Sequence, residues 1–275
     1  MMNKNFKIYL GVGLMALYCL FPIYFLLLYS FEPSEAAYHS PPVFYPIGFT
    51  FENYIGVFKS IPLVRYAINS LIVSFSATFL TLLFGSMAAY GVSVLNFKGK
   101  ELFLNSLILL GFFPAATMIF PIYKMFSDLN LLNNYLALIL PYTVAGLPLT
   151  TWVIATYFEN VPKDLIDAAS VDGLSLGGTY AKIMIPLSLP ALSTVAILDF
   201  IAFWNEFIYA LTFMPDSNMR TVTVGISLIS GRFVYQFPWG QIIAAALMVT
   251  IPLVIMVFVA QEKIISGLTA GAVKG

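Results

Sequence analysis

Charge is what this sequence has least of. Asp, Glu, Lys and Arg make up 9% of its 275 residues, against roughly a quarter in an ordinary soluble domain. It also has one cysteine, Cys19, and one histidine, His39. An intrachain disulfide is thereby excluded, and a zinc site built from Cys and His has no ligand set. Cys19 lies in an apolar run and is expected to be a packed, unreactive thiol, since reactive thiolates need an electropositive, exposed setting. His39, in a polar connection, reads as solvated. The 13 basic residues balance 13 acidic ones, so no basic face offers itself to nucleic acid. A phosphate-binding loop of the Gly-x-x-x-x-Gly-Lys kind is absent. So is any His/Glu or Ser/His constellation, and no catalytic residue is assigned.

Hydrophobic residues, by contrast, reach 60%, with a mean hydropathy of +0.90. Such a chain can neither stay solvated and open nor cover a soluble globule. It belongs in a membrane. A helix needs about 20 mostly apolar residues to cross the hydrocarbon core, and six stretches qualify: about 8–31, 66–95, 102–123, 135–158, 190–213 and 240–260. Their continuous Phe and Leu content, without period-2 alternation, argues for helices rather than barrel strands. The expected class is an all-α membrane protein of six transmembrane helices. The first run is too long for a signal peptide and lacks a cleavage site. Lysines and arginines orient the spans. With the amino terminus inside, inner segments hold Lys4, Lys7, Lys98, Lys100, Lys163, Lys182, Lys263 and Lys274, and outer ones hold Lys59, Arg65, Lys124, Arg220 and Arg232. Both termini are therefore expected in the cytoplasm.

Three connections exceed a hairpin: outer ones at 32–65 and about 214–239, and an inner one at 159–189. The inner one is the most informative. Pro162 suits a helix start, and Asp164 and Asp167 lie in the early turns, where the helix dipole favours acids. Leu165, Ile166 and Ala169 make one short apolar stripe. Gly173 is placed to end the helix in a left-handed conformation, and Ser175 can cap a second short helix reaching about Met184. An apolar stripe held outside the bilayer must cover something: the membrane surface, the chain's own inner face, or another protein.

The same loop reads Asp167-Ala168-Ala169, three residues, Gly173, nine residues, Ile183, Met184, Ile185-Pro186. It resembles the signature loop of permease subunits of binding-protein-dependent ABC importers, which is Glu-Ala-Ala, three residues, Gly, nine residues, Ile, one residue, Leu-Pro. Asp167 and Ile185 depart from that pattern but keep its charge and volume. Trp204-Asn205-Glu206-Phe207 and the ending Gly267–Gly275 resemble the carbohydrate branch, of the maltose/oligosaccharide type. The resemblance implies a type I ABC importer permease fold: a single permease domain over 1–275, with a peripheral first helix at about 8–31 and a core at about 66–260. It also implies a coupling helix in which Asp164, Leu165, Ile166, Asp167, Ala168, Ala169, Asp172 and Gly173 meet a cytoplasmic ATPase. The implied partners are an ATPase dimer that binds ATP and Mg2+, a second permease subunit, an extracytoplasmic solute-binding protein and membrane lipid. This chain itself would bind no cofactor or metal. The tail Thr269–Gly275 would approach the ATPases, and 44–54 and 216–237 would offer docking surface to the binding protein.

Inside the spans, Asp199 and Glu206 are the clear acids. Seven residues apart on one helix, they would share a face with Phe203, Trp204 and Asn205. Ionisable groups at membrane depth usually face protein or a water-filled cavity. A sugar would suit that mixture of carboxylate, amide and aromatic surface, so this stripe is expected to line the translocation path. Pairing within the bundle is the competing expectation. Gly85, Ala88, Ala89 and Gly91 read as close helix packing. A non-sugar solute, or an ion-coupled carrier using Asp199 and Glu206 as ion ligands, are the functional alternatives.

Overall fold

The computed structural model describes residues 4–33, 44–95, 97–229 and 237–272, with 4–5, 115 and 259–272 as backbone alone. The expected position of His39 lies outside the described residues. All regular structure among those described is helical. Four helices are long and apolar enough to cross a membrane unaided: α1 (Lys4–Phe31), α3 (Leu63–Val94), α6 (Leu136–Phe158) and α13 (Trp239–Ala272). The number becomes six if two bent pairs each count as one span. The chain divides into two compact units, residues 1–67 with 224–251, and residues 68–223 with 252–275.

In the first unit, α2 (Glu52–Ser60) is fixed to the end of α1 by Asn53, a fully buried amide. Its Nδ2 donates to the carbonyls of Ser30 (3.1 Å) and Glu32 (2.7 Å). These acceptors lie at the helix end, where carbonyls otherwise lack partners. Phe31 stacks on Phe49 at 4.9 Å and meets Phe51 and Tyr54 edge-on or tilted. The apolar window of α1 is wholly exposed. Cys19 is exposed with it, which corrects the expected packed thiol: α1 is apolar on every side, and the described elements that pack on it lie at its far end.

The second unit holds most of the remaining helices, and its side-chain bonds fix their directions. Tyr135 Oη donates to Asn69 Oδ1 (2.8 Å), Thr81 Oγ1 to the Thr143 carbonyl (3.3 Å) and Ser93 Oγ to the Ala155 carbonyl (3.2 Å). Partners along α3 and α6 thus keep a nearly constant separation of 62 to 66 residues, so the two helices run parallel. Two reciprocal close approaches hold them together. A Cβ on Gly85 would lie 2.7 Å from Thr150 Cγ2, and one on Gly146 would lie 2.7 Å from Thr81 Cγ2. Small residues let backbones approach where no hydrophobic drive separates helix from lipid. Gly85 and Ala89 therefore pack as expected, whereas a Cβ on Gly91 would meet nothing within 4 Å.

Two parallel spans need a return between them. It is made by α4 (Lys100–Gly111) and α5 (Ala115–Asp128), bent by 96°. The expected continuous helix at 102–123 is corrected here, because the ladder stops at Phe112–Phe113 and Pro114 cannot supply the N–H that would carry it on. After α6 come α7 (Lys163–Val171), α8 (Leu176–Thr179), a π-helical turn (Tyr180–Met184) and α9 (Ile185–Leu187). A 77° bend leads into α10 (Leu189–Trp204), then α11 (Ile208–Phe213); the unit ends in the first turn of α12 (Val222–Ile229), whose remainder belongs to the first unit. α10 is antiparallel to α6: as α6 runs from Tyr142 to Thr150, their partners run back from Glu206 to Asp199. At 16 residues α10 rises about 24 Å, short of the roughly 30 Å hydrocarbon core.

Candidate functional site

α7 begins directly after Pro162, carries Asp164 in its first turn, and ends in a complete Schellman motif. Gly173 has φ +77°. Its N–H reaches the Ser170 carbonyl (3.1 Å), while the Leu174 N–H reaches back to Ala169 (3.0 Å). This geometry satisfies the last carbonyls and favours glycine, which has no Cβ to crowd the left-handed conformation. Ser175 then caps α8, its Oγ accepting from the Gly178 N–H at 3.2 Å.

The apolar stripe divides between two surfaces. Ala169 is buried and Ile166 packs against the cluster of Ala89, Tyr90, Ile154, Phe158, Met184 and Val195. Leu165 is 44% exposed instead, so the expected single stripe of Leu165, Ile166 and Ala169 is corrected. Two of its members seat the helix on its own bundle. The outward surface includes Asp164, Leu165, Asp167, Ala168, Asp172 and Gly173, beside the exposed Lys163 and Ser170, with Val171 at 87% exposure. Sequence reasoning passed over Val171, although it follows Leu165 and Ala168 at successive three-residue steps.

Tyr90 joins this segment to the spans. Its hydroxyl donates to the Leu176 carbonyl (3.1 Å), and its ring meets those of Phe158 and Tyr180. Tyr180 in turn shares a hydrogen bond with Ser86 (2.7 Å), and Tyr157 of α6 donates to the Leu187 carbonyl (2.9 Å). These bonds tie α8 and α9 to the adjoining ends of α3 and α6. Tyr157 is expected from the sequence to belong to the bundle and its interface, whereas Tyr90 and Tyr180 escaped sequence reasoning. The available signal was a phenol inside an apolar run, which needs a partner when buried.

The second candidate region departs from expectation in geometry. α10 stops at Trp204, so Asp199 and Glu206 do not share one helical face. The α10 ladder ends where the Glu206 N–H turns back to the Phe203 carbonyl (3.3 Å). Beyond it, the Glu206 carboxylate caps α11, with Oε1 accepting from the Tyr209 N–H (2.9 Å) and Oε2 from the Ala210 N–H (3.2 Å) and the Tyr142 hydroxyl. Asp199, 4% exposed, accepts from Thr150 Oγ1 at 2.7 Å. Phe203 and Trp204 are buried, and Asn205 is exposed. Hydrogen bonds to a charged group contribute about 1.5–3 kcal/mol each, so the corner is firmly held. Among the described residues, no cluster of His, Cys, Asp and Glu could hold a metal ion.

Comparison with known proteins identifies the family of the whole chain. Residues 81–269 match the family described as binding-protein-dependent transport system inner membrane component. The trehalose/maltose transport system permease protein MalG of Thermococcus litoralis is 41% identical over 274 residues, covering 99% of this chain and 98% of that protein. The sulfoquinovosyl glycerol transport system permease protein SmoH of Agrobacterium fabrum is 39% identical over 93% of this chain and 89% of its own length. A crystal structure of a bacterial ABC transporter involved in the import of the acidic polysaccharide alginate matches with TM-score 0.79 at 21% identity, over 95% of this chain and 98% of that one. That likeness is one of fold. The resemblance carried by the inner loop is thus borne out: this multi-pass, all-helical chain belongs to the family of binding-protein-dependent transport system inner membrane components, which are transport permeases rather than enzymes.

Proposed function

We propose that this chain is the permease subunit of an ATP-driven importer of a sugar or glycoside, and that α7 is the element through which a cytoplasmic ATPase moves it. The observation that carries this reading is the two-sidedness of α7. Ile166 and Ala169 seat it on the bundle, while Asp164, Leu165, Asp167, Ala168, Val171 and Asp172 face outward. An exposed acidic and apolar surface on a fixed helix suits a partner's groove.

In this reading the ATPase pair binds ATP and Mg2+ and performs the hydrolysis. Its closure pushes α7, and Tyr90, Tyr180 and Tyr157 pass the movement to α3 and α6. A second permease subunit completes the pathway, an extracytoplasmic binding protein delivers the solute, and both termini lie in the cytoplasm. A sugar is favoured because the relatives above are named for trehalose, maltose and sulfoquinovosyl glycerol. The solute path runs along the α10–α11 corner, with Asp199, Phe203, Trp204, Asn205 and Glu206 in or behind its wall.

Reconstitution with the partner proteins tests this. Sugar uptake should follow ATP hydrolysis and survive a proton uncoupler. Uptake that collapses with the uncoupler at constant ATP would overturn the ATPase coupling, and uptake of some other solute class alone would overturn the sugar.

A further inference from the structure

The corner between α10 and α11 brings α6 and α11 to one carboxylate, and α12 to the backbone of the same residue. Glu206 takes the Tyr209 and Ala210 N–H groups of α11 and the Tyr142 hydroxyl of α6, while its backbone carbonyl accepts from Thr223 Oγ1 at 2.8 Å. Rings span the same break. Phe203, before it, stacks on Tyr142 (5.4 Å, 15°); Tyr142 stacks on Tyr209 (6.5 Å, 17°), and Tyr209 on Phe213 (5.3 Å, 12°). Tyr209, Ala210 and Phe213 form the buried face of α11, whereas Phe207, Ile208 and Leu211 are 36%, 48% and 46% exposed.

A chain break inside a membrane bundle could be a hinge or a fixed corner. A hinge leaves its backbone groups to exchange partners. Here they are held by a charged acceptor, and stacked rings splint both sides. Asn205, next to the pin, differs: it is exposed, with Nδ2 donating to the Ile201 carbonyl (2.8 Å). Its Oδ1 remains available to accept a hydroxyl.

We infer that Glu206 is a positioning residue that locks the α10–α11 corner, and that Asn205, next in sequence to the exposed apolar face of Phe207, Ile208 and Leu211, is the polar side chain this corner presents to the solute. Such a surface, one amide acceptor among apolar side chains, fits the C–H face of a sugar ring with one neighbouring hydroxyl. The assignment of Asn205 rests on the sugar-permease reading; the pinning by Glu206 does not.

The test uses the complete transporter in a Cys19→Ser background, with Ala210→Cys as a reporter for a soluble maleimide. Ala210 is fully buried, so the reporter should be protected while Glu206 is intact. Adding Glu206→Ala should speed labelling at least about tenfold, the scale set by losing bonds to a charged acceptor, and Glu206→Gln should restore part of the protection. If Glu206→Ala fails to insert, Tyr142→Phe removes one bond and keeps the ring, and should speed labelling about threefold, as for a single hydrogen bond. Unchanged labelling in the inserted variants overturns the pin.

Uptake of maltose and maltotriose is measured in parallel, without the reporter. Asn205→Ala and Glu206→Ala should both change the ratio between the two sugars, whereas general loss of structure lowers both alike. An unchanged ratio overturns the role of Asn205. If the parent transporter carries neither of these nor any other sugar or glycoside while the labelling result holds, the sugar reading fails and the pin stands.

Discussion

At the α7 end of the second unit, Asp164, Asp167 and Asp172 face outward, and none has a hydrogen bond or ion pair among the described residues. At the α10–α11 corner, both carboxylate oxygens of Glu206 and its backbone carbonyl are bonded within the chain. The same acidic chemistry thus serves opposite ends. A carboxylate at a helix N-terminus in water is free for a partner. One at a helix N-terminus inside the bundle is held by the backbone it caps. Exposure and residual bonding capacity, rather than residue type, separate a docking surface from a brace.

Disturbing the scaffold that both regions share should have the largest effect. A Cβ on Gly146 would crowd both Thr81 (2.7 Å) and Phe203 Cζ (3.0 Å), and thereby both α3 and α10. Gly146→Leu should cost about 3 kcal/mol or more through overpacking, read as a lowered thermal midpoint and loss of both activities. Thr150→Val comes next. It leaves the buried Asp199 carboxylate without its Thr150 donor and should cost about 2 kcal/mol, again read by thermal unfolding.

Gly173→Val sharpens the contrast. Open space surrounds that position, so only the left-handed backbone resists, by about 1–2 kcal/mol. The protein should insert normally while ATPase activity and sugar uptake uncouple. Val171→Asp should be the mildest for stability, within about 0.5 kcal/mol as for an ordinary surface change. It should nevertheless weaken retention of the ATPase during purification by about tenfold, the change that about 1.4 kcal/mol makes in affinity.

Much of this was legible in the sequence. The six apolar runs, the start of α7, the glycine that ends it and the Ser175 cap all follow from local rules, and local rules suffice where one residue's conformation decides. What escaped depended on backbone breaks inside apolar runs. Hydropathy averages over a window, so residues 102–123 and 190–213 read as continuous helices although the ladders stop at Phe112 and at Asn205. Pro114 could have flagged the first break. For the second, an Asn-Glu pair three residues before Tyr209 resembled a path-lining stripe as much as a cap. Likewise, the split of Ile166 and Ala169 from Leu165 depends on where Tyr90 and Met184 pack, which no spacing within α7 reveals.

What touches the outer face of α7 decides whether that face is a docking surface. A photoreactive side chain at position 171, introduced in native membranes, should crosslink to the ATPase subunit, and the yield should change when ATP is bound. Crosslinks confined to lipid or to this chain itself, in a transporter that still imports solute, would contradict that role.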